Sequence, residues 1–126
     1  MARNIQAGQA AEREARAFLE AHGLSYLASN FRCRYGEIDL VMQEDAALII
    51  VEVRYRRRDS FMDPSESITR AKQQRIARTA AFFLQKNRRR GEPPIRFDVV
   101  SLTGPLGDLR IRWLRGAFDA EGMTLR

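Results

Sequence analysis

The chain has 126 residues, 44% of them hydrophobic and 30% charged, with one cysteine and a formal charge of +6. That length fits one domain able to bury a real core without staples, and the lone Cys33 excludes a disulfide scaffold. The longest apolar run, 46–51, falls far short of the ~20 residues of a membrane helix and no stretch of signal-peptide type opens the chain, so a soluble cytoplasmic protein is expected.

Over 5–22, Ala7, Ala11, Ala15 and Phe18 recur at near-helical spacing between Glu12, Arg13, Glu14 and Arg16, and Gly23 ends the helix. Residues 24–31 read as a strand. Over 36–42 the pattern alternates, with Ile38, Leu40 and Met42 on one face and Glu37, Asp39 and Val41 on the other. Glu44-Asp45 is a turn, and 47–55 is a strand apolar on both faces for most of its length. A loop punctuated by Pro64 covers 59–66. The segment 67–85 is a long helix with Ile68, Ala71, Ile76, Ala80, Phe83 and Leu84 spaced for burial. Gly91 and Pro93-Pro94 stop it. Strands at 95–102 and 109–114 follow, joined by Gly104-Pro105-Leu106-Gly107. The order α-β-β-β-α-β-β predicts an α/β fold, a mixed central sheet flanked by helices. One domain is expected over 1–118 with a loose tail at 119–126, the looseness beginning at Gly116.

All but Lys72 and Lys86 of the 22 basic residues are arginine. A basic excess points to polyanionic partners, and the planar fork of Arg suits phosphate. Two runs concentrate it, Arg54-Tyr55-Arg56-Arg57-Arg58 and Lys86-Asn87-Arg88-Arg89-Arg90, with Arg32 and Arg34 in addition. Either run alone reads equally well as a solvated loop.

The hairpin is the informative part of the chain. With its tip between Asp45 and Ala46, antiparallel pairing sets Asp39 opposite Glu52, and strand parity places Arg54 on the same face. That face then reads Val41, Leu48 and Ile50 near the tip and Asp39, Glu52 and Arg54 away from it. Two facing carboxylates repel by about 4 kcal/mol at about 4 Å and an effective dielectric near 20. Compensation comes either from a hard divalent cation such as Mg²⁺ or from a local Arg54 or Arg34. Glu52 also ends a buried strand, where sites form in helix-flanked sheets.

Asp39 followed by Glu52-Val53-Arg54 resembles the PD-(D/E)xK signature of restriction-endonuclease-like nucleases, whose core has the same predicted order. The sequence is closer still to the YraN-like proteins, which are similar to archaeal Holliday-junction resolvases. The likeness rests on Gly8-Gln9-Ala10-Ala11-Glu12, on Asn30-Phe31-Arg32-Cys33-Arg34-Tyr35-Gly36-Glu37-Ile38-Asp39-Leu40, on Val51-Glu52-Val53-Arg54-Tyr55-Arg56, on Lys72-Gln73 and on Arg96-Phe97-Asp98-Val99-Val100. It spans about 4–118. The resemblance implies a Mg²⁺- or Mn²⁺-dependent nuclease acting on DNA, branched or distorted, with Asp39 and Glu52 as metal-binding carboxylates and Glu12 as the acidic residue of the first helix. Lys72 and Gln73 match the family's helix motif and are implied to reach the scissile phosphate. A homodimer is implied only by the resemblance, since resolvases act as dimers on a junction of two-fold symmetry.

Arg54 departs from the pattern, which has Lys there. A guanidinium stays protonated and takes no proton from water, yet it can stabilise a pentacovalent phosphate electrostatically. The expected catalytic set is therefore Glu12, Asp39, Glu52 and Arg54. The expected nucleic-acid contacts are Arg32, Arg34, Arg56, Arg57, Arg58, Lys72, Gln73, Arg88, Arg89 and Arg90. Two other classes stay open: a DNA-binding module that keeps the nuclease fold without turnover, and an adaptor whose basic runs meet an acidic protein. Glu37 is a further ligand candidate, and Asp98 reads as satisfying backbone or Arg groups. His22 sits well against a helix dipole, Cys33 lacks a His partner, and Trp113 and Tyr55 are core residues or stacking platforms. On either nucleic-acid reading, affinity falls steeply with salt. Removing Arg56, Arg57 and Arg58 together is expected to weaken binding without changing which DNA structure is preferred, as a titration across several DNA structures would show.

Overall fold

The computed structural model describes residues 2–57, 68–87 and 93–119, with side chains from residue 8 onward. Seven elements follow in chain order: α1 (Ala2–Ala21), β1 (Ser25–Cys33), β2 (Gly36–Glu44), β3 (Ala47–Arg56), α2 (Arg70–Lys86), β4 (Ile95–Thr103) and β5 (Arg110–Phe118). This is the predicted α-β-β-β-α-β-β order. The loop 59–66, Arg58, Arg88, Arg89, Arg90, Gly91 and the tail from 120 lie outside the described residues.

The five strands form one sheet in the order β1-β2-β3-β4-β5, antiparallel throughout except for the parallel β3–β4 pair. Parallel neighbours need a long crossover, and α2 is that crossover. It packs chiefly against β2 and then β1, while α1 crosses the opposite face over β1 to β4. Two cores result. On the α2 side, Val41, Leu48, Ile50, Phe97 and Val99 meet Ile76, Ala80 and Phe83 of the helix. On the α1 side, Leu40, Met42, Ile49, Val51, Val100 and Leu102 meet Ala11, Ala15 and Leu19. β3 feeds both cores, which explains its continuous apolar run.

Three expectations need correction. Ile38 was expected beside Leu40 and Met42, but it lies in the α2-side core with Val41. Its neighbour strand carries Asn30 in the left-handed region at φ 52 between the pairs Ser29↔Leu40 and Phe31↔Ile38, so the simple alternation breaks there. The second helix begins at Arg70 rather than at 67, because Thr69 is its N-cap: the Thr69 Oγ1 accepts from the Lys72 N–H at 3.2 Å. The looseness expected from Gly116 is replaced by strand through Phe118.

Asp98 explains that last extension. It is fully buried and accepts four hydrogen bonds: from Arg96 Nε at 2.8 Å and Nη2 at 2.9 Å, from Trp113 Nε1 at 2.9 Å and from the Gly116 N–H at 3.0 Å. Gly116, at φ 61, sits in the register shift between Phe97↔Phe118 and Val99↔Leu114. Phe118 then stacks on Phe97 at 4.9 Å. Asp98 is thus the satisfied structural acid expected from its sequence context.

Gly36 fixes how closely α2 approaches the sheet. At φ 151 a β-carbon there would lie 3.2 Å from Thr79 Oγ1, and that buried threonine is already committed to the Arg75 carbonyl at 2.7 Å. Gly36→Ala is expected to destabilise the fold by about 1–3 kcal/mol through backbone strain and the lost approach, read as a lower urea midpoint.

Candidate active site

Asp39 lies where β2 leaves the β3 ladder. The pairs Glu44↔Ala47, Gln43↔Leu48, Met42↔Ile49, Val41↔Ile50 and Leu40↔Val51 follow the register expected from a tip between Asp45 and Ala46. One further step in that register sets Asp39 across from Glu52. Backbone pairing stops there, and the Val53 N–H donates instead to Asp39 Oδ2 at 2.8 Å. The sequence thus places two acids together at the ends of adjacent strands.

Glu52 is buried at 9% exposure. The Asp39 carboxyl is pushed up to about 8, first by burial and next by the charge of Glu52; the Val53 N–H pulls the other way. The two carboxyls share a hydrogen bond, so the pair carries a proton near neutral pH. This is the like-charge repulsion anticipated from the hairpin, relieved in part by protonation.

The remaining compensation comes from a residue the hairpin alone does not reveal. Lys72 Nζ, from the first turn of α2, lies 2.8 Å from Glu52 Oε1, whereas Arg54 Nη1 is 3.9 Å from the same oxygen. The expected partners Arg54 and Arg34 therefore give way to Lys72 as the close one. Arg34 points elsewhere, donating to the Tyr35 hydroxyl at 2.7 Å. Helical spacing explains the reach of Lys72: it shares a face with Ile76 and Thr79, which are buried against the sheet.

The other expected residues fall into place unevenly. Glu12 on α1 is partly buried and its carboxyl is raised, chiefly by that burial. A hydrogen bond with the Asn30 side chain works against the rise, and the charges of Glu37 and Glu52 add to it. Glu12 thus stands within electrostatic range of the pair. Among the described residues, no group of three acidic, His or Cys side chains converges to hold a metal ion. Glu37 pairs with Arg32 at 3.5 Å. Gln73 donates through its amide to the Ile68 carbonyl at 3.1 Å, so it braces the start of α2. Arg56 and Arg57 are exposed. The Tyr55 hydroxyl donates to the Gly104 carbonyl at 3.2 Å. Trp113 packs edge-on to Phe18 and His22 at 6.2 and 5.7 Å, which makes it part of the α1-side core. His22 Nδ1 bonds the Phe18 carbonyl at 2.8 Å, in line with its place at the helix end. Asn30 is the site residue that sequence reading missed; its signal was an Asn inside a strand, the side chain most tolerant of the left-handed conformation.

The raised Asp39 has a measurable consequence. A folded-state value above the ordinary ~3.9 means that the folded protein holds this proton longer than the unfolded chain. The contribution is complete below about pH 4 and is lost as pH rises toward 8. Asp39→Asn, which keeps an acceptor for the Val53 N–H, should match the wild type near pH 4. It should exceed it by more than about 1.4 kcal/mol, one pKa unit, at pH 8.5 in urea denaturation.

The model of the uncharacterised protein family UPF0102 matches residues 11–102. A UPF0102 protein of Nitrosococcus oceani is 45% identical over 114 residues, covering 90% of this chain and 92% of the relative. One from Nitrosomonas europaea is 46% identical over 112 residues, covering 89% and 92%. A third, from Coxiella burnetii, is 40% identical over 111 residues, covering 88% and 90%. With a family model spanning the whole site and relatives matched nearly end to end, this chain belongs to the UPF0102 family.

Proposed function

We propose that this protein is a DNA-binding, divalent-metal-dependent nuclease of the restriction-endonuclease-like superfamily, acting on branched or distorted DNA. The observation that supports this reading most is the Asp39–Glu52 pair: two partly or fully buried carboxylates held together at the strand ends, with Lys72 2.8 Å from one of them. A fold has no need to hold two acidic side chains against each other away from full solvent. Asp98, four residues from the end of its own run of core positions, shows how this chain satisfies a carboxylate that serves structure alone.

Two adjacent carboxylates with access to water form the oxygen-rich donor set that suits Mg²⁺ or Mn²⁺. Asp39 and Glu52 would hold the ion, with Glu12 close enough to tune the local charge. Such an ion supplies Lewis-acid polarisation of a phosphodiester and a more acidic water. The chain's own cations do the rest. Lys72 orients Glu52 and brings an ammonium to the pair from α2. Arg54 adds a permanent positive charge on the same edge, able to stabilise charge developing on phosphate but not to relay a proton. Lys72 therefore supplies, from the helix, the lysine that the Glu52-Val53-Arg54 stretch lacks.

A second reading has one observation in its favour: Lys72 already neutralises Glu52, as in a fold kept for binding without turnover. The test is cleavage of labelled four-way junction, flap, single-stranded and duplex DNA with Mg²⁺ and with Mn²⁺. For a nuclease, metal-dependent products fall about 100-fold or more in Asp39→Ala and in Lys72→Ala, while DNA binding without metal changes little in Asp39→Ala. Binding with no products in either metal supports the non-cutting module. Products that survive Asp39→Ala overturn the site.

A further inference from the structure

The second basic feature of the site edge is invisible in the linear sequence. β3, β4 and β5 are aligned by the pairs Glu52↔Val99, Arg54↔Ser101 and Arg56↔Thr103 on one side. Val99↔Leu114, Ser101↔Arg112 and Thr103↔Arg110 align them on the other. Residues directly opposed across strands project to the same face. The intervening residues settle which face that is: Val100 and Leu102 are buried in the α1-side core, with Val53, Tyr55, Ile111 and Trp113 packed against it. The aligned residues therefore lie on the opposite face, where α2 leans over β1 and β2.

Three rows result. Glu52, Val99 and Leu114 make the first. Arg54, Ser101 and Arg112 make the second, and Arg56, Thr103 and Arg110 the third. Two arginines thus flank a hydroxyl residue in each of two successive rows, with strand spacing separating each flanking pair by about 10 Å and the rows by about 7 Å. Arg56, Arg110 and Arg112 are exposed, as is Leu114 at 40%. The row beginning at Glu52 joins this grid directly to the acid pair. Strand alternation has also divided the Arg54–Arg58 run: Tyr55 turns to the opposite core, and Arg54 and Arg56 join arginines more than fifty residues away.

We propose that this Arg54–Arg56–Arg110–Arg112 grid, with the half-buried Thr103 between its outer columns and Ser101 buried beneath the row nearer the acids, is a track for the phosphodiester backbone of nucleic acid leading to the acid pair. This deepens the nucleic-acid reading above and rests on it. Guanidinium forks pair with phosphate oxygens in two-point fashion, and a Thr hydroxyl such as that of Thr103 is a regular phosphate contact. A protein partner would need an apolar centre to its interface, whereas the only exposed large apolar side chain in the grid is Leu114. A polar, strongly positive surface is the character of a nucleic-acid interface.

The test measures binding of a labelled four-way junction and of duplex DNA by fluorescence anisotropy in EDTA, across a salt series. Wild type is compared with Arg110→Glu/Arg112→Glu and with Arg13→Glu/Arg78→Glu. The latter makes the same change in net charge at exposed positions on the two helices. The grid variant is expected to lose at least tenfold in affinity and to lower the log–log salt slope by about 2, two phosphate contacts' worth. The helix variant should stay within about threefold of wild type. Arg110→Ala/Arg112→Ala, with the same direction of effect, serves if the reversal fails to fold by circular dichroism. Equal losses in grid and helix variants, or an unchanged slope, overturn the track while leaving the nucleic-acid reading intact. No salt-dependent binding by wild type overturns both. Displacement of DNA by polyglutamate as readily as by unlabelled DNA at equal charge also overturns the track.

Discussion

The parallel pairing of β3 with β4 is the constraint on which the rest of the molecule depends. Two parallel strands cannot be joined by a tight turn, so the chain leaves the end of β3, crosses one face as α2 and returns. The cationic side of the site follows from that path. The first turn of α2 arrives beside the end of β3 and delivers Lys72 to Glu52. The helix settles on β2 and β1, at a distance permitted by the missing side chain of Gly36. On the same face, Arg56, Arg110 and Arg112 are exposed on β3 and β5.

Two carboxylates in the same sheet show how differently this chain treats buried charge. Asp98 receives donors from a guanidinium, an indole and a backbone amide, and the strand beside it bends to provide the last of them. Its charge is distributed over a network that reaches Glu44 and Arg115. Asp39 receives one backbone donor and faces another acid. Removing a buried charge from its partners is strongly destabilising, so the contrast separates an acid that completes the fold from one the fold merely tolerates. That difference, more than the motif, sets the strand ends apart from the rest of the sheet.

Much of this was legible from local pattern. The β2–β3 register followed from one turn position, because a period of two leaves no freedom once the tip is set; Asp45 at φ 52 makes that tip. Asp98 was legible as structural from its apolar flanks and adjacent Arg96. What escaped depended on long-range geometry. Which helix residue meets Glu52 is decided by the crossing of α2, and a strand-local reading offered only Arg54 and Arg34. The face of Ile38 depended on the left-handed Asn30 in a different strand. The arginines of β5 acquired their meaning from pairing with β4, and their parity with respect to Phe118 is reset by the bulge opposite Asp98.

The two irregular registers lie in the two outermost ladders, between Tyr26 and Ala28 on β1 and between Phe97 and Val99 opposite β5. An outer strand with a regular row of amides and carbonyls is an invitation for another chain to add itself, and such additions propagate into aggregates. Here each border is kinked, Asn30 twists the β1 side, and Arg32 on that side is 75% exposed, with Arg110, Arg112 and Arg115 along the other. Kinks at both borders, with a row of arginines along β5, make them poor templates. Among the described residues, the five-stranded sheet thus offers no regular margin to a sixth strand.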